Sequence, residues 1–297
     1  MNKFLRPVLL ASMAAAAVFS VQAQYSYGSY SSYDGGSCES GDGSRQSSSL
    51  QVVGLTEDQR LICFNERNPG DARDLGAISG LAAGDTLIGI DFRVQDKKMY
   101  GVGLKGGIYT IETARAVATK VSQLTVALDG KNFGVDFNPA ADRLRIVSDT
   151  GQNLRHNVNA GGVTVVDGGL NYTAGTAALG VTGSAYTNND LDPTTATTLY
   201  ALDTTLDQIA IQSPPNNGSL AATGKLTLDV LASAGFDIYS KIRNGVTVEV
   251  QSLASLKTSA TETGLYSISL PTGKATSRGS FASQYKVMDI AIPLNQL

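Results

Sequence analysis

Four aspartates recur inside one short apolar pattern: Ile88-Gly89-Ile90-Asp91-Phe92, Phe133-Gly134-Val135-Asp136-Phe137, Gly235-Phe236-Asp237-Ile238 and Val287-Met288-Asp289-Ile290. In an extended strand the neighbours of each Asp point one way and the Asp points the other. Strands that repeat around an axis bring such carboxylates together, and like charges that converge need a cation, a shared proton or backbone N–H donors. Asp91, Asp136, Asp237 and Asp289 could therefore form a Ca2+-type metal site or a carboxylate-lined ligand pocket. The alternative is that each caps backbone N–H groups of its own or a neighbouring repeat, as recurrence in repeat architectures usually reflects.

A second group is basic. Arg143 and Arg145 alternate onto one face of a strand and Arg155 follows on the next, where equivalent strands carry Met99-Tyr-Gly-Val102 and Leu199-Tyr-Ala-Leu202. Guanidinium groups suit bidentate contact with an acidic ligand. Buried, they must be paired, with Asp136 and Asp142 the expected partners. His156 is the only histidine. It rules out a multi-histidine metal site and lies beside Arg155 without a catalytic companion. Other motifs resolve into turns. Gly101-Val-Gly-Leu-Lys-Gly106 is followed at once by a strand rather than a helix, so it lacks the context of a phosphate loop. Asp149-Thr150-Gly151 lacks the second copy that aspartic-protease chemistry needs. Asn188-Asn-Asp-Leu-Asp192 lacks the glycine and terminal acid of an EF-hand loop. Tyr100, Tyr109, Tyr186, Tyr200 and Tyr266 could stack on sugars, although packing between sheets is the commoner use.

The elements that must position these residues are strands. No long segment has a helical period; short alternating runs are separated by Gly, Asn and Asp turns, an all-β signature. The chain has 32 glycines and only 16% charged residues, as many tight turns require. The Asp-bearing run returns every 45 to 52 residues if Gly183-Ser-Ala-Tyr186 is counted as a weaker copy with Ala185 in the Asp position. Three further strands follow each copy, as in Gly107–Glu112 and Val117–Val121 of one period. Four strands per period are the content of a propeller blade. Residues 50–87 hold only three strands, and residues 286–292 hold a lone strand of the innermost type. Together they make one blade, so the expected fold is a five-bladed β-propeller closed by the C-terminal strand, without open sheet edges.

Residues 1–23 read as a signal peptide, with Lys3 and Arg6, an apolar stretch from Val8 to Val21 and a Val21-Gln22-Ala23 cleavage site. The apolar run is too short and too interrupted by Ser12 and Ser20 to anchor the chain in a membrane. Residues 24–49, rich in Tyr, Ser and Gly, read as a flexible tail. Residues 50–297 form the single propeller domain. In the oxidising compartment that export implies, Cys38 of the tail and Cys63 of an early strand are expected to form a disulfide.

The stretch from Leu87 to Tyr239 resembles the bacterial family called domain of unknown function 4394. The resemblance is carried by Leu87-Ile-Gly-Ile-Asp-Phe-Arg93, Asn132-Phe-Gly-Val-Asp-Phe-Asn-Pro139 and Asp142-Arg-Leu-Arg-Ile-Val-Ser-Asp-Thr-Gly-Gln-Asn-Leu-Arg155. Ala185-Tyr-Thr-Asn-Asn189, Ser213-Pro-Pro-Asn216 and Ala234-Gly-Phe-Asp237 continue it. His156 stands where that family more usually has an apolar residue. The resemblance implies an exported propeller-like protein and brings no reaction with it.

The expected function is an exported, periplasmic or secreted, non-catalytic binding or interaction propeller for a protein or glycan ligand, with Ca2+ the one cofactor the aspartates could hold. The alternative is a glycan-active hydrolase using the inner-strand carboxylates Asp91, Asp136 and Asp237. A net charge of −3 with dispersed basic residues argues against nucleic acid. After signal cleavage no membrane insertion is expected, and the chain should be a monomer.

Overall fold

The computed structural model describes Cys38, residues 49–192 and residues 194–296, so the expected signal peptide and most of the expected tail lie outside the described residues. The alternating runs become β1 (Gln51–Thr56), β2 (Arg60–Asn65), β3 (Asn68–Ala77), β4 (Leu87–Phe92), β5 (Met99–Gly103), β6 (Gly107–Glu112) and β7 (Val117–Gln123). They continue as β8 (Phe133–Asn138), β9 (Arg143–Ser148), β10 (Asn153–His156) and β11 (Thr164–Val166), then the short hairpin β12 (Asn171–Thr173) and β13 (Thr176–Ala177). The rest are β14 (Val181–Tyr186), β15 (Leu199–Asp203), β16 (Gln208–Gln212), β17 (Leu220–Lys225), β18 (Ala234–Arg243), β19 (Val246–Lys257), β20 (Thr263–Ile268), β21 (Ala275–Ser280) and β22 (Val287–Ala291). The one described helix is a 3-10 turn at Pro215–Asn217.

Five antiparallel four-stranded sheets make up a five-bladed β-propeller. Blade 1 has the order β22-β1-β2-β3, and blades 2 to 5 are β4–β7, β8–β11, β14–β17 and β18–β21. The innermost strands neighbour one another in the circuit β22, β4, β8, β14, β18 and back to β22. Blade 1 therefore joins the two ends of the domain: β22 pairs antiparallel with β1, with Val53 opposite Ala291. Two features are not apparent from the repeat. One is the β12–β13 hairpin inserted before blade 4. The other is the long β18–β19 hairpin, whose pairing runs from Ala234 opposite Leu256 to Arg243 opposite Val246.

The apolar residues bury between blades rather than in one central core. Five clusters fill the five seams, for example Ile88, Tyr100, Val102, Phe133, Phe137 and Ile146 between blades 2 and 3. The seam between blades 3 and 4 has the smallest cluster, built on Val147, Leu170, Val181, Ala201 and Leu220. Close approach of the inner strands explains two glycines. A Cβ on Gly134 would lie 2.6 Å from the Ser184 nitrogen, and one on Gly235 would lie 2.5 Å from the Asp289 Cα, so any side chain there would force neighbouring blades apart.

Candidate functional site: the axial carboxylates and the mouth cavity

An innermost strand has no partner on its axial edge, so its N–H groups need acceptors. The aspartates supply them. Asp91 accepts from its own following residue, Phe92 N–H, at 2.6 Å and from Phe137 N–H of β8 at 2.7 Å. Asp136 accepts from Tyr186 N–H of β14 at 3.2 Å. Asp237 accepts from Ile238 N–H and from Ile292 N–H just beyond β22, both at 2.6 Å. Asp289 accepts from Ile90 N–H of β4 at 2.7 Å. Each carboxylate thus reaches the next blade around the ring.

The same bonds correct the equivalence of Asp289 with the other three. Asp91 and Asp136 bond the residue that follows the Asp position of the next strand. Asp237 bonds Ile292, which makes Ala291 the matching position on β22, while Asp289 bonds Ile90, one residue before Asp91. Asp289 therefore sits two residues, roughly 6.6 Å, further along the axis. One tier around the axis reads Asp91, Asp136, Ala185, Asp237, Ala291. Carboxylate oxygens of Asp91, Asp136 and Asp237 lie within 4.8 Å of one another, and the two alanines occupy the remaining places.

All four carboxyls are buried, between 4% and 7% exposed. Burial pushes each of them up from the ordinary carboxylate range, Asp237 to about 6. The Asp237 charge adds to the rise at Asp91, and the Asp91 charge to that at Asp136. The backbone N–H bonds pull the other way without cancelling burial. Three such oxygens can share protons or begin the oxygen shell of a hard cation, which takes about six to eight ligands.

The arginines separate. Arg145, 1% exposed, does not pair with Asp136, its cross-strand neighbour. Its guanidinium donates to Asp167 at 2.6 Å, Asn153 at 2.7 Å, Asn216 at 3.0 Å and the Tyr186 hydroxyl at 3.2 Å. Asp136 stays bonded to the inner-strand amide of Tyr186. Arg155 holds both oxygens of the same Asp167, at 2.6 and 2.8 Å. Arg143 donates to the carbonyls of Ala141 and Asp142 instead of joining them. The Asp142 carboxylate, an expected arginine partner, is taken by Arg93 in two bonds. Arg145, Arg155 and Asp167 thus form an ion-pair network within blade 3, and Arg145 carries it to blade 4 through Tyr186 and Asn216, at the seam where apolar packing is thinnest. Sequence reasoning missed Asp167, because only the fold carries it back across β10 to Arg145.

His156 is buried between Ser122 of β7 at 2.8 Å and Thr164 of β11 at 3.0 Å, and burial pushes its pKa down. Asp149 caps the turn before β8, accepting from the N–H groups of Lys131 and Asn132 and from the Asn132 amide. In the 188–192 loop, Asp190 takes Asp192 N–H and the Thr247 hydroxyl, and Asp192 takes Thr194. Tyr109 and Tyr186 are buried in the seams. Cys38 and Cys63 are joined by a disulfide with Cα atoms 6.0 Å apart.

A cavity of about 540 Å3 opens over the same thin seam, on the face where the inner strands begin. Its walls come from three blades: Asp129 and Lys131 before β8, Asp149 after β9, Leu179 before β14, Thr205 after β15 and Ala232 before β18. None of these residues is among the candidates drawn from the repeat.

Ring closure by β22 and carboxylates that bind one blade to the next define a five-bladed β-propeller with an acid-lined axis. Residues 60–291 match the family described as a domain of unknown function (DUF4394), and the chain belongs to that family. No curated protein matches it. Among solved structures it is similar to a structural genomics protein of unknown function from Bacteroides thetaiotaomicron VPI-5482, at 13% identity over 88% of this chain and 70% of that one, with a TM-score of 0.46. It is also similar to an auxiliary nutrient binding protein from the same organism, at 14% identity over 69% of this chain and 50% of that one, TM-score 0.37. A protein from Lactobacillus plantarum aligns at 10% identity over 82% of this chain and 99% of that one, TM-score 0.41.

Proposed function

We propose that this chain is an exported, non-catalytic binding propeller. The observation that carries the reading is the use of Asp91, Asp136, Asp237 and Asp289 as acceptors for inner-strand N–H groups. A glycoside hydrolase needs two carboxyl groups flanking a bond of a substrate that can reach them. Here the three converging acids have raised pKa values but are buried at the axis, with both oxygens of Asp91 and Asp237 and one of Asp136 bonded to backbone N–H groups. The accessible concavity lies elsewhere, and its floor and walls come from loops of three blades, the arrangement of a binding mouth. Export is supported by the Lys3–Ala23 leader pattern and by the Cys38–Cys63 disulfide, which persists in oxidising compartments.

Incubation of the purified chain with a panel of polysaccharides, followed for new reducing ends, is expected to show no release above the buffer control. Release that disappears in Asp91→Asn or Asp136→Asn would overturn the reading in favour of an axial hydrolase.

A further inference from the structure

We propose that the cavity over the blade 3–blade 4 seam is a saccharide site that takes a neutral sugar of one or two rings. The inference rests on the binding reading above and names its ligand chemistry.

Polar groups face the space. The Lys131 ammonium has no hydrogen-bond or ion-pair partner among the described residues, although its backbone N–H is tied to Asp149. Among the described residues the Asp129 carboxylate receives only the Thr150 hydroxyl, at 3.2 Å on one oxygen, and that hydroxyl lies closer to the Asp129 carbonyl, at 2.9 Å. A donor cation and an acceptor anion thus line one concavity. A simple anion would meet Asp129 and Asp149, and a simple cation would meet Lys131. A hydroxyl group answers both, since it accepts from the ammonium and donates to the carboxylate.

Part of the lining is apolar. Leu179 is 59% exposed and lines the cavity with Ala232. A sugar ring carries hydroxyls on its rim and C–H groups on a face, so it can meet the polar and apolar walls together. The volume of about 540 Å3 lies in the range of small-molecule sites.

The site is also preorganised. Thr204 ties its floor, donating to the carbonyl of Gly180 at 3.2 Å. Gly180 itself, at φ +122°, has no room for a side chain: a Cβ would lie 2.0 Å from the Thr205 hydroxyl. The backbone can therefore approach Thr205 only as glycine, which fixes the spacing of these two lining residues.

Isothermal titration of the purified chain with glucose, galactose, mannose, cellobiose, maltose and lactose tests the proposal, with glucuronate and glucosamine as charged arms. Saturable binding of at least one neutral sugar is expected, weakened about tenfold or more by Lys131→Met and by Leu179→Arg. Lys120→Met, on β7 of blade 2 and outside the cavity, should bind as the parent does. Thermal melts show whether each variant is folded, and Lys131→Met carries the test if Leu179→Arg is not. No neutral sugar bound by the folded protein, binding confined to the charged arms, or binding untouched by Lys131→Met would each overturn the site. None of these results produces reducing ends, so they are distinct from the failure of the non-catalytic reading.

Discussion

Asp237 of β18 accepts the Ile292 N–H at 2.6 Å, and this bond crosses the joint between blade 5 and the C-terminal strand of blade 1. The same carboxylate accepts from Ile238 N–H of its own strand, so one side chain ties together the inner edges of two blades. Asp91 does the same between blades 2 and 3 through Phe92 and Phe137. These acids pin the ring, and their burial gives the fold a dependence on pH.

A carboxyl whose pKa rises on folding holds its proton more tightly in the folded state. Its contribution is complete at acid pH and is lost as pH climbs from about 4 through the folded pKa. Asp237, raised to about 6, loses it across that window, and Asp91, Asp136 and Asp289 move the same way. His156, pushed down by burial, acts oppositely, losing stability as pH falls below its usual value near 6.5. The discriminating quantity is therefore a difference between variants. Asp136→Asn keeps an acceptor for Tyr186 N–H and removes a charge, so it should raise Tm more at pH 8 than at pH 5. A lower Tm at pH 8 would contradict this. Calcium added at pH 8 should leave the parent's Tm unchanged; a calcium-induced rise that Asp136→Asn abolishes would assign the three acids to a cation.

Arg145→Ala should destabilise by about 3–5 kcal/mol, because it takes one of two cations from the buried Asp167 carboxylate and leaves Asn153, Asn216 and Tyr186 without their buried donor. Arg155→Ala removes a pair whose cation is 29% exposed and should cost about 1 kcal/mol or less. Urea unfolding of the two variants checks the order. Equal losses would mean that the exposed Arg155 holds Asp167 as firmly as the buried Arg145 does.

Cys38→Ser should lower stability by about 3 kcal/mol, since the bond to Cys63 closes a span of 25 residues. The measurement is the urea midpoint with and without reductant: the parent should fall on reduction to the level of the variant, and the variant should not respond.

Gly134→Ala should cost about 1–3 kcal/mol, because its Cβ would meet the Ser184 nitrogen at 2.6 Å across the blade 3–blade 4 seam. Gly70→Ala, whose nearest contact is 3.5 Å, is the matched control and should melt near the parent. Similar melting of both variants would show that the inner strands can separate without penalty.

Strand identity, blade content and ring closure were legible in the sequence because each rests on local alternation and on a repeat. The three strands before Leu87 and the lone strand after Lys286 predict the β22–β1 pairing, and the structure contains it. The tier of each acid was not legible. Strand side chains alternate with period two, so a slip of two residues leaves every face unchanged while moving Asp289 away from Asp91. Nor could pattern assign Asp167 to Arg145, since a long side chain selects its partner from whatever the neighbouring strands bring near.

Sequence alone determined that this chain would make five sheets around an axis and place aspartates on the innermost strands. Only the tertiary structure decided which backbone N–H groups those aspartates meet. An inner edge exposes unpaired N–H groups, and the next blade stands close enough for a carboxylate to reach them. The cavity was likewise decided by the fold alone, because Lys131, Leu179 and Ala232 are scattered along the chain and meet only when three blades stand side by side.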